Sequence, residues 1–268
     1  MIELLQEGFV QRAIVSGIVI SIVCGLVSVF VVLRGMSFIG AGISHAAFGG
    51  VAIGFITGIN PMITAMIYCL AVAVGIDTVG RRSRVSADTA IGVFFASSMA
   101  LGIVLIGISR RYNTDLFGYL FGSILAISKT EVWIAVIIMA VVVAFVLLFM
   151  KELFISAYNE ELAKVQGLPV NVLNMLFLTA LSVAVVVSIR VVGIVLVSAL
   201  LVIPGATARL LANNPFSMVA VSCVSGVFST LLGLVLSLEF DLPPGGTIVL
   251  TATVMFFLVF AGKRVREW

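Results

Sequence analysis

Gly40-Ala41-Gly42-Ile43-Ser44-His45-Ala46-Ala47-Phe48-Gly49-Gly50 lies in the middle of residues 36–58, a run without a single Asp, Glu, Lys or Arg. About 20 apolar residues are enough for a helix to cross the hydrocarbon core of a bilayer, so this stretch reads as a membrane span. His45 is the one histidine of the chain. At a rise of about 1.5 Å per residue it falls about 13 Å into that span, near the middle of a core about 30 Å thick. An ionisable group at that depth needs a polar partner, a water path or a ligand, and marks a functional site by default.

The rest of the 268 residues repeats the pattern. Hydrophobic residues make up 62% of the chain against 10% charged, and the mean hydropathy is +1.31, well beyond what a soluble domain needs for one core. Apolar windows of span length fall at residues 12–33, 36–58, 61–80, 88–108, 131–150, 171–189, 191–212, 215–237 and 244–262. The expected fold is therefore an all-α, polytopic transmembrane bundle of nine spans. The count drops to eight if one helix flanking the very short links at Arg34-Gly35 or Arg190 stops short of full depth. Residues 116–127 are apolar but too short to cross, and read as a re-entrant segment. The first apolar run carries no basic leader and no small-residue cleavage site, so it reads as a retained span.

Lysine and arginine collect in cytoplasmic loops. Placing Arg81, Arg82, Arg84, Lys263, Arg264 and Arg266 inside also places Arg34, Lys151, Lys164 and Arg209 inside, which gathers most of the 15 cations there. The N-terminus then faces out and the C-terminus the cytoplasm. The net charge of +3 is an orientation signal, and no basic, aromatic-interleaved patch points to nucleic acid. Cys24, Cys69 and Cys223 stand singly in apolar runs and read as packing residues.

Glycines at helical spacing, Gly50, Gly54 and Gly58 and again Gly118 and Gly122, allow helix backbones to approach closely in lipid. A second interruption falls at Pro204-Gly205, where proline removes a backbone donor and kinks or breaks the span. That position serves either as a plain kink or as a hinge, and Gly49 and Gly50 beside His45 are the matching candidates for gating. Among the acids, Asp88 follows Ser86 at a helix start and reads as a cap, and Asp77 pairs with Arg81 one turn on. Asp115, Glu239 and Asp241 fall together on the outer side of this topology. Carboxylate oxygens at an entrance with an imidazole below suit a divalent ion such as zinc or manganese; Glu239 reads equally as a solvated helix end. On the inner side, residues 160–166 form a short helix stopped by Gly167 and Pro169, a docking knob for a soluble partner.

Three stretches together resemble a family: Ile43-Ser44-His45-Ala46 with Gly50-Val51-Ala52; Asp115-Leu116 followed by Tyr119-Leu120-Phe121-Gly122; and Leu200-Leu201-Val202-Ile203-Pro204 with Ala206-Thr207-Ala208-Arg209. Asp241-Leu242-Pro243 with Gly245 adds a fourth. The chain is similar to the membrane permease subunits of zinc- and manganese-importing ATP-binding-cassette transporters. That resemblance implies one transmembrane permease domain over residues 1–268, working as a homodimer with the ion pathway along its axis. It implies alternating access in the cell membrane for a divalent ion, zinc first, with manganese and iron next, as cargo and with no resident cofactor. It implies an extracytoplasmic metal-binding receptor protein and a cytoplasmic ATPase, the latter docked on the loop near 151–169 through Glu161, Ala163, Gly167 and Leu168.

The pathway residues carried over are His45, Asp115, Asp241 and Glu239, with Gly49, Gly50, Pro204 and Gly205 as gates. Family members carry an aspartate one turn before the histidine, where this chain has Ala41, so His45 must work with Asp115, Asp241 or a residue of the other protomer. No Gly-x-x-x-x-Gly-Lys-Ser/Thr loop occurs, so the expectation is a transport subunit that is not itself an enzyme. Ser44 beside His45 does not make a protease, since adjacent helix residues point about 100° apart. A stand-alone secondary carrier or channel for a cation is the remaining alternative, and it leaves the short inner helix without a role.

Overall fold

The computed structural model describes residues 7–82, 85–109 and 128–266. Within them the chain is helical: α1 (Gly8–Leu33), α2 (Ile39–Thr57), α3 (Pro61–Arg82), α4 (Ala87–Ser109), α5 (Lys129–Leu148), α6 (Met150–Tyr158), α7 (Glu160–Val165), α8 (Val170–Val192), α9 (Ile194–Leu200), α10 (Ile203–Leu211), α11 (Pro215–Phe240) and α12 (Pro244–Arg266). Nine segments among the described residues are long and apolar enough to cross a membrane, α9 and α10 together making one. All nine spans read from the sequence are therefore present, and their ends agree to within a few residues. The stretch read as re-entrant, 116–127, lies outside the described residues, as do Asp115, Gly118 and Gly122.

Burial separates the bundle into a centre and a rim. In α1 and α2, 72% of the span is inside the protein, against 17% for α4 and α12. Large apolar side chains such as Ile137, Val141, Leu250 and Leu258 are exposed on the rim, which is where lipid meets a helix whose backbone is satisfied internally. Around a core that buries Phe30, Phe177 and Ile43, small residues set how closely the central helices approach. A Cβ on Gly50 would come within 2.5 Å of the Ala65 Cα, and one on Gly54 within 2.7 Å of the Pro61 Cα, so α2 lies against α3 at a distance only glycine permits. Gly58 departs from the packing role its spacing predicts. Nothing lies within 4 Å of it; it ends α2 at φ +72°, a left-handed cap that favours glycine.

The links also follow local chemistry. Gly35 (φ +67°) turns α1 into α2, and Gly193 (φ +83°) alone separates α8 from α9, conformations that a Cβ opposes. Arg190, which the sequence places in a link, instead sits in the last turn of α8. Its guanidinium pairs with Glu131 at 2.5 Å, tying α8 to the start of α5, where Ser128 and Glu131 form a reciprocal capping box. Ser86 caps α4 through the Thr89 amide at 3.2 Å, with Asp88 in the first turn.

Candidate functional site

His45 is the seventh residue of α2. Its side chain is half-buried, and its ring meets Phe95 of α4 edge to face at 4.7 Å. The neighbouring turns of α2 explain why α4 comes so close: a Cβ on Gly42 would touch the Ile91 side chain at 2.7 Å, and one on Gly49 the Ser98 carbonyl oxygen at 2.9 Å. Polar pairs tie α2 and α4 to the helices beside them. Ser198 of α9 donates to Ser44 at 3.4 Å, and Tyr68 of α3 pairs with Ser98 at 3.2 Å. Ala41, one turn before His45, places a methyl where a carboxylate would be needed for a two-residue metal clamp on one helix face. Among the described residues, no group of three or more His, Cys, Asp and Glu side chains gathers at metal-holding distance. A half-buried single imidazole suits passing contact with a cargo ion better than a closed structural cage, which takes about four ligands.

The broken span is the second component. The helix stops at Leu200 and restarts at Ile203, so the interruption lies at Leu201–Val202, just before the proline. Pro204 occupies the opening turn of α10, where its missing N–H is tolerated. The next amide, Gly205 N–H, donates to the Ser28 hydroxyl of α1 at 2.8 Å rather than to its own helix. A Cβ at Gly205 would come within 2.6 Å of the Ser28 carbonyl oxygen. The two halves make different close contacts, α10 with α1 through Gly205 and α9 with α2 through Ser198 and through Gly40, whose Cβ would meet Leu201 at 3.0 Å, while both also pack on α12.

Of the acids, Asp241 ends α11 in the left-handed region at φ 51°, where Asp is among the few side chains tolerated. The turn behind it is held by Ser237, whose hydroxyl donates to the Leu242 carbonyl at 2.6 Å. Glu239 and Asp241 are both exposed, at the same end of α11.

At the other end of the molecule, α1, α3, α6, α7 and α8 surround a cleft of about 310 Å³ lined by Arg34, Asp77, Arg81, Ser156, Glu160 and Asn174 among others. Asp77 and Arg81 pair here as the spacing predicts, the Arg81 Nε donating at 2.9 Å. The Arg34 guanidinium stacks over Phe177 at 4.7 Å; Phe177 packs on Phe30, which in turn packs on Phe154. Burial pulls Arg34 down to about 10, with the Glu160 charge opposing, so it stays cationic at neutral pH.

Beside the cleft, α7 is a single well-capped turn and a half. Asn159 accepts from the Leu162 amide at 2.9 Å. At its far end the Gly167 amide donates to Lys164 and the Leu168 amide to Ala163, both at 3.0 Å, the paired bonds of a Schellman stop with glycine at φ +77°. Ala163 is buried and Glu161 exposed, while Leu162 and Val165 leave 50% and 85% of their surface outside. Sequence reasoning found this helix and His45. It missed Arg34, whose position beside a turn reads as an ordinary inner-loop cation, and the Glu131–Arg190 pair, which joins residues far apart in the chain.

A bundle of membrane-length helices with a glycine-packed imidazole and a broken span, and a capped apolar knob at one end, has the architecture of a transport permease. The chain belongs to the ABC 3 transport family, whose model matches residues 6–263, and so to the membrane subunits of metal-importing ATP-binding-cassette transporters. It is 39% identical over 257 residues to the manganese transport system membrane protein MntC of Listeria innocua, covering 96% of this chain and 91% of that protein. It is 38% identical over 252 residues to the manganese import system permease protein ScaB of Streptococcus gordonii, covering 94% and 90%. The solved structure of PsaBC from Streptococcus pneumoniae in complex with Fab contains a chain 40% identical to it, with a TM-score of 0.84 over 96% of this chain and 92% of that one. A second solved chain, captured in an inward-facing conformation, is 15% identical and shares the fold at a TM-score of 0.77.

Proposed function

We propose that this chain carries manganese into the cell as the permease of an ATP-driven importer. The observation that carries this reading is the run of relatives named for manganese transport, aligned over more than nine-tenths of the chain. Zinc, the first expectation from sequence, has no such support. In this reading two copies of the chain form the pathway, with the N-terminus outside, a metal-binding receptor delivering the ion from that side, and His45 touching the ion as it passes. Asp115, Glu239 and Asp241 stand on the entry side. Gly49 and Gly50 fix the spacing of α2 from α3 and α4, and the interruption ahead of Pro204 and Gly205 is where the pathway wall bends. The ATPase subunit closes against α7: Glu161 faces it, Ala163 anchors the helix to the permease, and Gly167 and Leu168 hold its stop.

The test is uptake of radioactive manganese by proteoliposomes holding the permease, its ATPase subunit and the receptor, with unlabelled zinc, iron and manganese as competitors. ATP-dependent manganese uptake that is lost in His45→Ala, with the melting temperature unchanged, is the expected result. Uptake by His45→Ala at the wild-type rate would reduce the histidine to a packing residue. Uptake that zinc suppresses better than manganese would move the cargo assignment to zinc.

A further inference from the structure

We infer that the groove between α3 and α5 holds one zwitterionic phospholipid, its phosphate on Arg190 and Asn60 and one acyl chain along α3, α5 and α8. The inference is independent of which ion the chain carries.

α3 and α5 each pack on α8 and scarcely on each other, which leaves a groove of about 390 Å³ with α8 as its floor. α3 uses opposite faces for its two contacts: Pro61, Thr64 and Ala65 meet the glycines of α2, while Met62, Ile63, Met66 and Ile67 line the groove. The groove opens sideways, because three of its own lining residues lie on the rim: Ile63, Ile67 and Ile134 leave 54%, 63% and 52% of their surface outside the protein. From Glu131 to Ile138 it runs about 10 Å along α5, most of the roughly 15 Å that one leaflet contributes to the hydrocarbon core. A furrow left unfilled forfeits dispersion contacts along both walls, and what lies beside this one is lipid.

Polar groups line the groove at one end only, where α8 finishes and α3 and α5 begin: Arg190, Glu131 and Asn60. Trp133, two residues on from Glu131 and 68% exposed, puts that end at the level where amphipathic aromatic rings meet the headgroups. Among the described residues the acceptors there are engaged while donors remain. Glu131 takes the Ser128 amide and hydroxyl on Oε2 and Nη2 of Arg190 on Oε1, and Asn60 Oδ1 takes the Met62 amide. The other N–H groups of the part-exposed Arg190 guanidinium, and the Asn60 side-chain nitrogen, make no bond among those residues. A guanidinium edge of this kind matches the oxygens of a phosphate. The Glu131–Arg190 pair carries no net charge, so a headgroup that joins its phosphate to an ammonium group completes it, whereas an anionic headgroup would set a second negative charge beside Glu131.

The experiment measures the melting temperature of the full chain in a phosphate-free detergent, with dioleoyl phosphatidylethanolamine, dioleoyl phosphatidylglycerol, dioleoylglycerol or phosphoethanolamine added. Phosphatidylethanolamine at ten times its dissociation constant is expected to raise it by about 3–6 °C, and the other three by clearly less. Arg190→Gln is expected to lose that rise whatever its own starting temperature, since the readout is the lipid-induced shift. If Arg190→Gln fails to fold, Ile67→Trp decides the matter: it adds an indole at the exposed rim of the groove, leaves Arg190 in place and is expected to lose the rise too. An undiminished rise in either variant overturns the inference. An equal rise with phosphatidylglycerol overturns it in favour of a general anionic-lipid contact, with dioleoylglycerol in favour of plain apolar filling, and with phosphoethanolamine in favour of a free headgroup ligand. No rise with any of the four also overturns it, and cross-linking of Ile67→Cys to its counterpart would then assign the groove to a second copy of the chain.

Discussion

Replacing Gly50 by alanine tests how the bundle is held together. The new Cβ would lie 2.5 Å from the Ala65 Cα and 3.0 Å from the Thr64 carbonyl oxygen. Ordinary contact begins at 3.4 Å, so α2 and α3 must separate by about 0.9 Å, and both nearest atoms are backbone that no rotamer change can move aside. Overpacking of this kind costs about 1–3 kcal/mol, partly offset by up to about 1 kcal/mol from the better helix propensity of alanine. The net expectation is destabilisation by about 1–2 kcal/mol, or roughly 2–8 °C in melting temperature at about 2–4 °C per kcal/mol. Gly92→Ala in α4 is the control. Nothing lies within 4 Å of that position, so only the propensity gain remains and the melting temperature should hold or rise. The assay is thermal unfolding of both purified variants in one detergent. If Gly50→Ala melts together with Gly92→Ala, the glycines of α2 are not what sets the helix spacing.

Two further perturbations probe single bonds. Ser28→Ala removes the acceptor of the Gly205 amide at the buried start of α10 and should cost about 1–2 kcal/mol; an unchanged melting temperature would show that this amide finds another acceptor. Glu131→Ala should cost more than Arg190→Ala. The ion pair is part-exposed and worth at most about 1 kcal/mol, but Glu131 also completes the capping box of α5, worth about 1 kcal/mol more; equal losses in the two variants would deny the cap its contribution.

The spans were legible because lipid imposes a length and a composition on every crossing, and a window of the right size finds them regardless of how the helices pack. The broken span was legible from Pro204, although the break falls two residues earlier: proline fits the first turn of a helix, so the interruption precedes it. Gly58 and Asp241 show what local patterns leave out. Gly58 has the spacing of a packing glycine yet ends α2 as a left-handed cap, and the left-handed turn at Asp241 is a conformation its sequence neighbours do not announce. The inner cleft was invisible for another reason. Arg34, Ser156 and Asn174 come from separate helices, and only tertiary packing brings them around one space. His45 stood out by its rarity, but its edge-on contact with Phe95 depends on glycines of α2 that admit α4.

The interruption at Leu201–Val202 has a mechanical consequence. An unbroken helix braced on two neighbours is a strut: push one neighbour and the other must follow. Here α9 is bonded to α2, which holds His45, and α10 to α1, both also rest on α12, and between them the helical ladder gives way to the tighter bond from the Val202 amide to the Ala199 carbonyl. A joint at that position would confine to Leu201 and Val202 the backbone torsion of any tilt between the half beside the imidazole and the half beside α1.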